Sequence, residues 1–154
     1  MKSPEYKDFV ALLSYHGVRY LVVGAHAVSL YSRPRATKDL DIWVDPRPDN
    51  SERVIATIRE FFGGFDFGLS VEDLTSPGRI VQLGVAPARI DILTSISTLS
   101  FDEAWESRSE DDFEGVSAMF LSLNDLIAAK EAAGRPQDLA DLASLRRAKQ
   151  RKSP

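Results

Sequence analysis

The stretch "TKDLDIWV", residues 37–44, puts Asp39 and Asp41 two positions apart at the head of an apolar, β-branched run. Strand side chains alternate, so both acids fall on one face with Cα atoms roughly 6.5–7 Å apart, while Leu40 and Ile42 take the other. Two ionised carboxylates that close repel, and burying them unpaired costs several kcal/mol. The pattern therefore leaves two arrangements open. Either a divalent cation lies between the acids, or they mark a strand end open to water whose charge Arg35 and Lys38 offset.

The rest of the chain frames that strand. Apolar spacing at Phe9, Leu12 and Leu13 predicts a first helix ended by Gly17, and "YLVVG" (20–24) reads as a buried strand closed by Gly24. "AHAVSLYS" then reads as a helix, broken in "RPRATK" because Pro34 disfavours helix at Arg33. After the Asp-bearing strand, Asp49 and Glu52 predict a capping box for a helix through Phe62, with Val54, Ile55, Ile58 and Phe61 at a 3.6-residue period. "FDFGLSVEDLTSPG" leaves strand and loop both open. "RIVQLGV" and "RIDILTSI" flank a three-residue link and predict a hairpin, with Asp91 inside its second strand. Ser100 with Glu103 caps a short helix through Trp105, "VSAMFL" is a strand, and Ser122 with Asp125 starts a helix closed by Gly134. Pro136 opens a last helix with Leu139, Leu142 and Leu145. The expectation is a single α/β (α+β) domain over residues 1–154, with one mixed central sheet and helices packed against it.

Composition restricts the chemistry. The chain has 154 residues, enough for one core, and no cysteine, which removes disulfides, a thiol nucleophile and thiolate metal sites. No apolar run approaches the ~18 residues of a membrane span, and the charged start (Lys2, Glu5, Lys7, Asp8) is not a leader. A cytoplasmic protein without membrane contact is expected. A formal net charge of −4 argues against a nucleic-acid-coating surface. The local exception, Arg146, Arg147, Lys149, Arg151 and Lys152, reads as a solvated, frayed tail over 146–154, with RNA contact as the alternative.

Three more features bear on the aspartates. Gly24 joins a strand to a helix, where backbone N–H groups can approach phosphate oxygens. Arg33, Arg35 and Lys38 lie between that helix and the acids and could hold an anion. Asp91 is a third carboxylate in an apolar strand. Together these are the parts of a metal-assisted phosphoryl-transfer site.

On these residues the chain resembles the nucleotidyltransferases of the DNA polymerase beta type, especially the small bacterial AbiEii-like and minimal members. "VVGAHAV" and "TKDLDIWV" match the strand-glycine-helix and Asp-x-Asp elements, "RIDILTS" supplies the third acid, and "LIAAKEAAGRPQDLADL" looks like the AbiEii-type C-terminal element through Lys130, Asp138 and Asp141. The resemblance spans residues 6–145. It implies a polymerase-beta-like core with C-terminal helices and transfer of a nucleoside monophosphate from an NTP to an acceptor hydroxyl on RNA, protein or a small molecule. Asp39, Asp41 and Asp91 would be catalytic and hold Mg²⁺ or Mn²⁺, while Gly24, Ala25, Arg35, Lys38 and Lys130 would hold the nucleotide. A partner protein or second subunit would complete the acceptor site, within a toxin–antitoxin system. Ala25 departs from the family's serine or glycine and has no hydroxyl for a phosphate, so a catalytically inactive, antitoxin-like interaction protein is the rival expectation. His26 is either a phosphate contact or a helix-start residue packed locally.

Overall fold

The computed structural model describes residues 6–32, 39–85 and 89–152. In chain order the elements are α1 (Tyr6–Tyr15), β1 (Tyr20–Val23), α2 (Gly24–Tyr31), β2 (Leu40–Val44), α3 (Pro48–Phe61), α4 (Val71–Thr75), β3 (Ile80–Leu83), β4 (Ile90–Leu93), α5 (Phe101–Glu106), β5 (Ser109–Phe113), β6 (Val116–Phe120), α6 (Leu123–Ala133) and α7 (Pro136–Lys152).

The six strands form one sheet in the order β3-β4-β2-β1-β6-β5. It is mixed: β1 runs antiparallel to β2 and parallel to β6, and β2 runs parallel to β4. The two outer pairs, β3 with β4 and β5 with β6, are antiparallel hairpins. β1, β2 and β4 are the interior strands that carry the apolar runs. Leu40, Ile42 and Val44 are buried, as are Leu21, Val22, Ile90 and Ile92. The pleat turns Asp41 and Trp43 to the side opposite Ile42. Trp43 stacks edge-on to Phe101 of α5 at 5.1 Å, so the acids share their sheet face with a packed aromatic layer.

Helix boundaries follow local chemistry. The Ser100 and Ser122 side chains accept hydrogen bonds from the backbone N–H groups of Glu103 and Asp125, the two caps expected. Gly134 ends α6 with φ +64°, a left-handed conformation that costs glycine little. α3 begins differently from expectation. Pro48 is its first residue and Arg47 its N-cap, so the Asp49–Glu52 capping box does not form. Proline lacks the N–H that a helix start leaves unsatisfied anyway, which makes it a better first residue than a cap follower. The ambiguous segment before β3 contains α4, opened by a Ser70–Asp73 capping box. β5 was not foreseen, because in "SEDDF" only Phe113 is buried.

α1 packs on α3, and α6 and α7 form a hairpin that reaches α2. In α7, Leu142, Leu145 and Ala148 are buried, while Leu139 is 55% exposed. The helix continues through Lys152, across most of the basic tail. No helix among the described residues is long and apolar enough to cross a membrane.

Candidate active site

The site is assembled where β1, β2 and β4 lie side by side. Asp41 is in register with Val23 of β1 and with Asp91 of β4. Two residues in register on adjacent strands share a face, so Asp41 and Asp91 are neighbours although 50 positions separate them. Asp39, just before β2, joins them through Arg89: the guanidinium donates from Nη2 to Asp39 Oδ2 at 2.9 Å and from Nε to Asp91 Oδ1 at 3.0 Å. A third bond runs from Nη2 to Asp91 Oδ2 at 3.3 Å.

Gly24 meets this cluster from the other side. Its φ is +67°, and a Cβ placed there would lie 2.2 Å from Asp41 Oδ2 and 3.0 Å from Asp41 Cγ. Both the backbone angle and the carboxylate exclude a side chain at this position. The strand-glycine-helix junction therefore brings α2's first turn against Asp41.

Electrostatics follow from the packing. Burial pushes the Asp41 carboxyl up to about 6, and repulsion from Asp91 and Asp39 adds to it, against partial relief from Arg89 and Lys130. Among the described residues, Arg89 and Lys130 are the cations that act on Asp41, against two neighbouring carboxylates. Tyr6 lies close enough for the same three acids to raise its phenol, after the larger effect of burial. Its hydroxyl donates to the Arg89 carbonyl at 3.1 Å.

Beside Asp41 opens a cavity of about 310 Å³, lined by Gly24, Asp41, Ser95, Ser97, Lys130 and Arg135 among others. Lys130 Nζ lies 3.3 Å from Asp138 Oδ1 and 3.0 Å from Asp141 Oδ2. Arg135 Nε donates to Asp138 Oδ2 at 2.6 Å. These bonds, led by Arg135 and opposed by burial, hold the Asp138 carboxyl down at about 2. Lys130 is thus an ion-pair member of the α6–α7 hairpin and a wall of the cavity at once.

Of the residues singled out from sequence, Gly24, Asp41 and Lys130 line this cavity, while Asp91 lies in register with Asp41 and Asp39 is tied to Asp91 through Arg89. Ala25 follows Gly24 in the first turn of α2 and is partly buried. His26 packs edge-on to Tyr6 at 5.8 Å and against Phe113 at 5.3 Å. Burial lowers its pKa against an opposing hydrogen bond to the Asp39 backbone, which is the locally packed alternative. Arg33, Arg35 and Lys38 lie outside the described residues. Arg89 and Arg135 escaped the sequence reading. For Arg89 the signal was present: in "RID" it stands two before Asp91, the spacing that puts two strand residues on one face.

The three acids present an all-oxygen donor set, with Asp41 facing the cavity, which is the chemistry a hard divalent ion takes. Among the described residues, however, no three His, Asp or Glu groups are arranged to hold a metal ion as they stand. The Arg89 guanidinium occupies the space between Asp39 and Asp91.

A mixed sheet with a glycine-opened helix set against paired strand aspartates is the arrangement on which the resemblance to nucleotidyltransferases rests. The chain belongs to the family described as nucleotidyltransferase of unknown function (DUF6036), matched over residues 7–150. No curated protein sequence matches it. Among solved structures it is similar to a Thermotoga maritima protein provisionally assigned as a nucleotidyltransferase, with a TM-score of 0.60, 19% identity and 93% of each chain covered. It is also similar to the lincosamide antibiotic adenylyltransferase LnuA in its lincomycin-bound form, with a TM-score of 0.58, 14% identity and coverage of 94% of this chain and 98% of that one. A third likeness is to the antibiotic-resistance factor ANT(2'')-Ia, with a TM-score of 0.56, 15% identity, and 96% and 82% coverage. At these identities the structural likeness establishes the fold.

Proposed function

We propose that this nucleotidyltransferase moves a nucleoside monophosphate from an NTP to an acceptor hydroxyl, with Asp39, Asp41 and Asp91 as its metal-binding catalytic carboxylates. The observation that carries the reading is the contact between Gly24 and Asp41. It sets a helix N-terminus, whose amides suit phosphate oxygens, directly against a carboxylate whose two acidic neighbours share the Arg89 guanidinium. Gly24 and the adjoining backbone of Ala25 would cradle the β and γ phosphates, with Lys130 at the cavity wall and Arg35 and Lys38 from the preceding loop. The acceptor oxygen bonds to the α-phosphorus as the bond to the bridging oxygen of the β-phosphate breaks, and pyrophosphate leaves with that electron pair. Asp91 would help take the acceptor's proton. A Mg²⁺ or Mn²⁺ ion held by the three acids would supply Lewis-acid activation and offset charge on the leaving group.

The acceptor is an RNA end, a protein or a small molecule. The small-molecule class gains support from the antibiotic adenylyltransferases among the fold neighbours. The Lys130, Asp138 and Asp141 set supports an AbiEii-like affiliation and, with it, a toxin–antitoxin setting. A partner protein or a second subunit would complete acceptor recognition.

Incubation with labelled NTPs, Mg²⁺ and cell lysate tests the reading. The parent should label an acceptor, and Asp41→Asn should reduce the transfer at least ~100-fold while keeping the fold, since it removes charge and preserves shape. Transfer by Asp41→Asn near the parent rate would remove Asp41 from the chemistry. Metal-dependent NTP binding by the parent without any transfer would favour the binding-only protein that Ala25 suggests.

A further inference from the structure

Among the described residues, Arg89 bonds directly to two of the three acids and yet has no part in the proposed transfer reaction. Its side chain bonds to both oxygens of Asp91 and to one of Asp39. Those are oxygens a metal ion would need. A guanidinium cannot give up its charge at ordinary pH, so it cannot vacate the position by losing a proton. It has to move.

The structure constrains how. The Arg89 backbone is pinned, because its carbonyl accepts from both the Tyr6 hydroxyl and the Leu40 N–H, each at 3.1 Å. The side chain is less confined, being 33% exposed, as is that of Asp39. Asp91 is the fixed partner, its side chain only 11% exposed on an interior strand. Displacement therefore means rotation of the guanidinium away from a stationary carboxylate. The arrangement also accounts for the spacing of the acids, which are drawn around a planar five-donor fork and not around a point charge.

We infer that Arg89 is an internal counter-cation, holding the place of the divalent ion among Asp39, Asp41 and Asp91 and opposing its entry until the side chain swings out. The inference rests on the metal-site reading and adds a residue that sets its affinity. Two consequences follow. Without metal, Arg89 relieves carboxylate repulsion and stabilises the fold. With metal, it competes both for lone pairs and by like charge, so the free protein binds the ion weakly.

Calorimetric titration with Mn²⁺ alone, together with melting curves in chelator and in Mn²⁺, tests this on the full chain. Arg89→Met removes charge and donors while keeping a similar stem, and Arg89→Gln retains a donor without charge. Both variants should bind Mn²⁺ more tightly than the parent, by roughly ten-fold. Both should melt lower than the parent in chelator and recover more on adding Mn²⁺, since a ligand stabilises in proportion to how tightly the native state binds it. Weaker or unchanged Mn²⁺ affinity in the two variants, with binding intact in the parent, would overturn the inference and make Arg89 an orienting partner of Asp91. Absence of Mn²⁺ binding in the parent and both variants would instead defeat the metal-site reading itself, and this inference with it. If Arg89→Met does not fold, Arg89→Gln decides alone.

Discussion

Two acids line the same cavity in opposite electrostatic states. Asp41 belongs to three carboxylates served by one guanidinium and is pushed up to about 6. Asp138, on α7, is served by Lys130 and Arg135 and held at about 2, although its side chain is only 1% exposed. Burial raises both, and it is the largest influence on Asp41, whereas at Asp138 the bond from Arg135 outweighs it. Direct bonding widens the gap: Asp138 accepts from Arg135 and Lys130, while Arg89 and Lys130 act on Asp41 through space. The helical wall is charge-balanced and closed by its own bonds, and it fastens α6 to α7. Among the described residues the strand wall sets three carboxylates beside the Arg89 guanidinium, a crowding that raises Asp41 and suits a site for a charged ligand.

The same substitution, Asp to Asn, should therefore act with opposite sign in the two places. Asp138→Asn should be the larger effect, destabilising by about 2 kcal/mol at pH 7, chiefly because it leaves the largely buried Lys130 with Asp141 alone, since Arg135 is 75% exposed and loses its partner at little cost. A carboxyl whose folded pKa lies below its unfolded value stabilises above the unfolded value and ceases to as pH falls through the folded one. The penalty should therefore shrink between pH 4 and about 2, measured by urea unfolding across that range.

Asp41→Asn should stabilise the metal-free protein. Here the folded pKa is above the unfolded one, so the parent's stability is fully present below about pH 4 and declines as pH rises through about 6. In chelator at pH 8 the variant should gain on the order of 1–2 kcal/mol, allowing for solvent screening of a partly exposed group, and at pH 4 almost nothing. A melting-temperature difference independent of pH would break the contrast between the two walls. The smallest effect should come from Arg146→Ala. Its pairing with Glu131 spans the same α6–α7 hairpin at 3.2 Å, but both side chains are more than half exposed. Loss of less than about 0.5 kcal/mol in urea unfolding is expected, and a larger loss would mean that surface charge shares in fastening the hairpin.

Which parts could be read from sequence follows from the same physics. β1, β2 and β4 announce themselves because interior strands need apolar runs, and an aspartate inside such a run has to be explained. β5 has no such signature: it lies at the sheet edge, buries only Phe113, and looks like an acidic loop. α4 is five residues long, too short to show a period. In α3 a plausible cap at Asp49 masked the proline before it. The pairing of Lys130 with Asp138 could be weighed from sequence but not decided, since only folding shows that the Gly134 turn brings them within 3.3 Å. Arg89 was the most instructive omission. Arginine beside a strand reads as a solvated flank, and its role is visible only once Asp39 arrives from a different strand.

The absent side chain at Gly24 has a consequence for how this site can change over generations. The space a Cβ would fill is taken by the Asp41 carboxylate, and the backbone angle at Gly24 independently disfavours other residues. Position 24 is held by two constraints, and position 41, on the proposed reading, by its part in the reaction alone. A copy released from its reaction could lose Asp41 in one step without breaking the fold. Loss of Gly24 would stay blocked by the carboxylate until that step, and by the backbone angle after it. Decay would then have a direction, acid first and glycine last, and a descendant with the glycine but no acid would be the expected remnant of a nucleotidyltransferase that has kept its shape.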